Sequence, residues 1–151
     1  MEGSLKFNID PFNNYKNEEI VNILKQIGFE YNEDDSKILE RHIEVNGNNL
    51  SIGEKQLVCI ARAVLKKTKI LIMDEATANI DIKTEEKIQK IINDTFKDCT
   101  IITIAHSIKT ILNYDKILVL ENGKILEFDA PKILLENKES NFYKLYEKSS
   151  L

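Results

Sequence analysis

Two adjacent carboxylates, Asp74 and Glu75, follow directly on the apolar run Ile70-Leu71-Ile72-Met73. A buried strand ending on acidic side chains puts them at its carboxyl end, where α/β sheets bind ligands. An Asp there can hold Mg²⁺, directly or through water, because this ion takes a few carboxylates together with substrate phosphates. The adjoining Glu can take a proton from an attacking water. The competing reading is a strand end whose Asp caps the next turn. A second segment, Leu50-Ser51-Ile52-Gly53-Glu54-Lys55-Gln56, opens a long helical stretch. A helix N-terminus offers unpaired N–H groups and about half a positive charge, which suits a phosphate. Ser51 adds a hydroxyl donor, and Gly53 lets an anion approach the backbone. Equally, Ser51-x-x-Glu54 is a capping box in which each side chain satisfies a backbone donor. In a third segment, Ala105-His106-Ser107, a His leaves an apolar strand. It could hydrogen-bond a terminal phosphate and orient water, or be a partly buried polar residue with no further role. His42 has no such setting and is assigned no function.

The elements that must position these residues follow from periodicity. Residues 18–27 place Ile20, Ile23, Leu24 and Ile27 on one face, the pattern of an amphipathic helix. The acidic stretch from Tyr31 to Ser36, with Glu33, Asp34 and Asp35 in a row, reads as a solvated loop. A helix is expected from Ser51 to about Lys67, its basic end suiting the C-terminal dipole. Ile70 to Met73 and Thr100 to Ala105 are expected as strands buried on both faces. Between them, Thr84 to Phe96 reads as a helix with Ile88, Ile91 and Ile92 inward. Ile117 to Leu120 and Lys124 to Phe128 flank Asn122-Gly123, a strong hairpin signal. Pro131 can begin a final helical stretch. The layout is α/β with a largely parallel core.

Composition narrows the function classes. The chain has 151 residues, 42% of them hydrophobic, the size of one compact domain. Net charge is −4 with no basic block, so nucleic acid is not an expected partner. Nineteen of the 21 basic residues are Lys, which with abundant Ile and Asn reflects A/T-rich codons rather than a binding patch. Cys59 and Cys99 stand far apart with no second pair, so neither a zinc site nor a disulfide framework is indicated, and a reducing environment is expected. No apolar run approaches the roughly 20 residues of a membrane span, and the first residues show no secretory signal.

Taken in order, these segments resemble the nucleotide-binding domain of ABC transporters. Leu50 to Gln56 is similar to the signature loop, Ile70 to Glu75 to Walker B with its catalytic Glu, Ala78-Asn79-Ile80-Asp81 to the D-loop, and His106 to the switch histidine. Asn8-Ile9-Asp10-Pro11-Phe12, Gln56 to Ala63, and Glu127-Phe128-Asp129-Ala130-Pro131 resemble the second nucleotide-binding domain of the C subfamily, the multidrug-resistance-associated transporters. A Glu at position 75 also favours the second domain. The implied fold is the P-loop NTPase-like ABC ATPase fold, represented in part. Residues 1–67 would be the helical subdomain with the signature helix, and residues 68–151 would run from Walker B onward through the core sheet.

The resemblance implies ATP and Mg²⁺ as cofactors. Glu75 and His106 would be catalytic, Asp74 the metal ligand, and Ser51, Gly53, Gln56 and Asp81 cofactor-binding. In the family, two such domains sandwich two nucleotides, so the implied partners are a second nucleotide-binding domain and the transporter's transmembrane domains. The location would be the cytosolic face of a membrane. Three positions depart from the family pattern. Ile52 replaces Gly, as is frequent in this subfamily, and Ser107 replaces Arg. Glu54 stands where Gln is usual, and an acid near a phosphate site should weaken it by about 0.3–1 kcal/mol. A capping box that folds Glu54 back would reduce that cost. The P-loop pattern GxxxxGK[ST] is missing, for the five glycines at 3, 28, 47, 53 and 123 include no two at its spacing. The chain is therefore expected to supply the C-terminal half of a domain and to lack hydrolysis in isolation. The alternative is a non-catalytic module that docks on an ABC partner through the signature and D-loop.

Overall fold

The computed structural model describes residues 1–32, 34–74, 82–105 and 108–149. Its packing divides the chain into two units, Met1–Ile102 and Thr103–Leu151.

In the first unit, strand β1 (Gly3–Ser4) pairs antiparallel with β2 (His42–Ile43). Helix α1 (Leu5–Ile9) starts where the Ser4 hydroxyl accepts the Phe7 N–H at 3.1 Å. Helix α2 (Asn17–Gln26) buries Ile20 and Leu24 and is followed by buried Ile27, the face expected from the spacing. Gly28 ends it at φ +68°, in the left-handed region that glycine reaches without a Cβ clash.

The acidic stretch departs from expectation, because Asp35 opens a short helix, α3 (Asp35–Ile38). Two contacts hold its carboxylate, Lys25 Nζ at 2.5 Å and the Tyr31 hydroxyl at 2.8 Å, while buried Ile38 anchors the far end. Glu33 lies outside the described residues. A 3₁₀ turn (Val45–Gly47) leads to helix α4 (Ile52–Leu65), which buries Leu57, Val58, Ile60, Ala61 and Leu65. This helix stops short of Lys67, whose φ of +48° has already left the helical region.

Strand β3 (Ile70–Asp74) neighbours β4 (Thr100–Ile104), and helix α5 (Ile82–Thr95) lies between them in the chain. Neither strand is buried on both faces as its apolar run suggested. Met73 is buried and Leu71 half-buried against the core, whereas alternate residues Ile70 and Ile72 are 59% and 68% exposed. Ile102 and Ile104 are exposed as well. A continuous apolar run shows that both faces are suited to burial, but the described residues cover only one of them. The core joins α1 to α5 with β3, which places the packing boundary after Ile102, while the motifs suggested a division near residue 67. Ile88, Ile92 and Phe96 are buried in the same cluster as Leu57 and Ile60, so the helices before and after β3 share one core.

The second unit holds helix α6 (Ile108–Ile111) and the hairpin of β5 (Ile117–Glu121) and β6 (Lys124–Asp129). Asn122 and Gly123 both have positive φ, as a two-residue type I′ turn requires. Helix α7 (Pro131–Glu136) begins on its proline as expected, and α8 (Asn141–Ser149) follows. Ile117, Leu134 and Phe142 form the buried cluster. The Glu127 carboxylate accepts the backbone N–H groups of Asn141 at 2.5 Å and Phe142 at 3.1 Å, capping α8 from the neighbouring strand. Among the described residues no helix is long and apolar enough to cross a membrane.

Candidate functional site

The start of α4 is fixed from three directions. Ser51 takes extended backbone angles, and both halves of the capping box are present. Its Oγ accepts the Glu54 N–H at 3.1 Å, and Glu54 Oε2 accepts the Ser51 N–H at 2.8 Å. These bonds satisfy two backbone donors that the helix end would otherwise leave to water. Glu54 Oε1 meets Arg41 Nη1 at 3.2 Å. The acid at the usual Gln position is thus folded back and charge-compensated.

Ser51 itself is exposed, and its hydroxyl proton is not used by the capping bond, in which the oxygen only accepts. Gly53 sits in the first turn at an ordinary helical φ. An added Cβ would lie 3.0 Å from Thr84 Cγ2, tighter than most real Cβ contacts. A larger residue would have to displace the Thr84 side chain by a few tenths of an ångström, and the absent Cβ also suits an approaching anion. Gln56, one turn along, is half-buried, and its Oε1 is buried with no hydrogen-bond partner among the described residues. Buried oxygens of this kind are rare, since an unsatisfied carbonyl bears its desolvation cost uncompensated. A cleft of about 370 Å³ opens beside this turn, between Gly28, Ser51, Gly53, Leu57, Thr84 and Lys87. On its wall Lys87 pairs with Glu30 at 2.7 Å, and that bond holds the exposed Glu30 carboxyl below its usual range.

Asp74 ends β3 with its carboxylate exposed, the position anticipated for a metal ligand at a strand's carboxyl end. Glu75, Asp81 and His106 lie outside the described residues. The structure therefore gathers Ser51, Gly53 and Gln56 on adjoining turns of α4 and puts Asp74 at a strand end in the same unit.

Two contributors were not found from sequence. Arg41 is the ion-pair partner of Glu54, and Thr84 is the neighbour that limits position 53. One signal for Arg41 was available. The chain has only two arginines against nineteen lysines, and both make specific side-chain bonds, Arg62 Nε donating to the Asn8 carbonyl. In a Lys-rich chain an Arg marks a place where guanidinium geometry matters.

The sequence profile of the ABC transporter family matches residues 3–78, half of the chain. Human ATP-binding cassette sub-family C member 4 is 48% identical over 144 residues, covering 95% of this chain and 11% of that protein. Bile pigment transporter 1 of Saccharomyces cerevisiae is 46% identical over 165 residues, covering 97% of this chain and 11% of its own length. The chain thus spans about a tenth of the length of these curated relatives. A solved structure of a bacterial Atm1-family ABC exporter with ATP bound superposes with a TM-score of 0.83 at 27% identity, over 99% of this chain and 26% of that one. The capped start of α4, the acid-terminated strand and these likenesses converge: the chain belongs to the ABC transporter family, in its C subfamily of multidrug-resistance-associated transporters.

Proposed function

We propose that this chain binds ATP and takes part in its hydrolysis as the C-terminal half of a nucleotide-binding domain that powers export across a membrane, on whose cytosolic face it sits. The observation that carries this reading is the start of α4, an exposed serine and a glycine on a helix N-terminus whose acidic residue is already paired with Arg41. That turn suits a nucleotide phosphate, and the exposed Asp74 carboxylate suits Mg²⁺. Bound Mg²⁺ would offset charge on the phosphates, with Asp74 as its protein ligand.

The chain's own residues then divide the work. Ser51 donates its hydroxyl proton to a phosphate oxygen of a nucleotide held mainly by a second nucleotide-binding domain, and Gly53 keeps the approach open, while Asp74, Glu75 and His106 serve the nucleotide on their own side. Gln56 and Asp81 complete the nucleotide contacts, Asp81 at the interface with a second nucleotide-binding domain. Glu75 takes the proton of the attacking water, and His106 donates to the terminal phosphate. Positioning and charge stabilisation account for most of the rate gain in such phosphoryl transfers. The phosphate-cradling P-loop must come from a Walker A-containing half, since this sequence has no GxxxxGK[ST].

The test is Mg-ATP hydrolysis by the 151-residue chain, alone and completed by a Walker A-containing half from a C-subfamily relative. Activity is expected only in the completed domain and is lost in Glu75→Gln. Hydrolysis by the chain alone that Glu75→Gln abolishes would refute the division of labour. A completed domain without activity, combined with co-purification on a full nucleotide-binding domain that Gly53→Asp abolishes, would instead establish a non-catalytic docking module.

A further inference from the structure

The Glu54 carboxylate is the feature of α4 that fits an ATP site worst, and the structure contains its remedy. Glu54 Oε2 is engaged by the Ser51 N–H at 2.8 Å, while Oε1 faces Arg41 Nη1 at 3.2 Å. Both side chains are only 26% exposed. Arg41 is itself held by its backbone, its N–H donating to the Ile38 carbonyl at 3.1 Å and its carbonyl accepting the Leu5 N–H at 2.8 Å. A line of contacts thus runs from α1 through Arg41 and Glu54 to Ser51.

We infer that Arg41 is a positioning residue for the phosphate-facing turn of α4, cancelling the charge of Glu54 and keeping its carboxylate folded into the capping box. The inference rests on the ATP-binding reading above. Magnitudes separate this role from a merely structural one. A partly exposed ion pair adds about 0–1 kcal/mol to stability. An uncompensated carboxylate beside a bound polyanion acts at full charge over a few ångströms, in surroundings where screening is incomplete. Loss of Arg41 should therefore affect nucleotide affinity more than folding. Arginine suits the task because its planar guanidinium presents directed N–H donors and its backbone-anchored stem delivers one of them to a carboxylate oxygen.

The experiment measures KM and kcat for ATP in the completed domain, for the unaltered sequence and for Arg41→Met, Glu54→Gln, the double variant and Arg41→Lys. Methionine preserves most of the stem's packing. Arg41→Met should raise KM about five- to tenfold with kcat changed less than about twofold. In the Glu54→Gln background the same substitution should raise KM less than about twofold, because no charge is left to cancel, and Arg41→Lys should retain most of the affinity. An equal loss in both backgrounds, or no loss in either, would overturn the proposal. If Arg41→Met does not fold, Arg41→Lys and Glu54→Gln decide: lysine behaving like a full loss of charge would overturn it. A completed domain of unaltered sequence that hydrolyses no ATP would refute the ATP-binding reading and Arg41's role with it. Activity with uncoupled variants would refute Arg41's role alone.

Discussion

Residues 1–102 and residues 103–151 differ in how much of their apolar surface they can hide. Among the described residues, the first unit packs twenty buried side chains from α1 to α5, β2 and β3 into one cluster, and the second has three, Ile117, Leu134 and Phe142. The first can therefore hold a functional turn to a defined geometry with its own core, as the Gly53–Thr84 approach and the Arg41–Glu54 pair illustrate. The second relies on polar fastenings. Glu127 caps α8, Ser140 bridges the Leu134 carbonyl and the Tyr143 N–H, and Lys116 pairs with Asp129. Its hairpin turns Leu118 and Phe128, a cross-strand pair, toward solvent. Exposed apolar pairs of this kind suit a surface made to be covered. A fold can thus be locally well formed while much of its apolar surface stays exposed.

Phe142→Ala should expose that contrast most sharply. It removes one of three buried side chains at a cost of about 3–5 kcal/mol. Hydrogen exchange followed by mass spectrometry should then show protection lost across residues 103–149 and kept in α2 and α4; uniform loss would mean that the two units unfold as one. Gly53→Ala comes next. Its methyl group would meet Thr84 Cγ2 at 3.0 Å, and overpacking of this kind costs about 1–3 kcal/mol. A melting temperature that does not fall would show that the start of α4 yields more easily than the first unit's core implies.

Ser51→Ala should cost about 1 kcal/mol through loss of the cap, read as a lower urea midpoint at unchanged slope. Comparison of that loss with the effect on ATP binding in the completed domain separates capping from phosphate contact. The smallest effect is expected from acid. Partial burial pushes the Glu127 carboxyl up, but the N–H groups of Asn141 and Phe142 and the Asn141 side chain outweigh it and hold the group below its ordinary 4.5. Its contribution is thus fully present above that value and disappears as the pH falls through the lower folded-state value. Glu127→Gln should weaken the second unit at neutral pH and flatten its stability below about pH 4.3. A variant whose acid dependence matches the unaltered chain would show that this cap does not hold α8.

The parts of the fold read correctly from sequence are those with local causes. The Ile20-Leu24-Ile27 face follows from the 3.6-residue period, and the Asn122-Gly123 turn from the ease with which both residues take positive φ. The cap at Ser51 is similarly local, since its partner is three positions away. The misread parts have distant causes. Asp35 is drawn into a helix by Lys25, ten positions earlier. The cover of β3 depends on which segments are available to pack on it, and an apolar run cannot specify that.

The sequence alone was enough to place this chain in its family and to nominate candidate residues for phosphate, metal and proton transfer, because motif order and spacing are properties of the chain. It could also propose two roles for Ser51 and Glu54, cap and phosphate site, without choosing. Only the tertiary structure brought Arg41 onto Glu54 from thirteen positions away and Thr84 against Gly53. Those contacts make the two roles compatible. A carboxylate spent on a backbone N–H and a guanidinium leaves the helix end with little charge to repel a phosphate, and such pairing depends on distance in space.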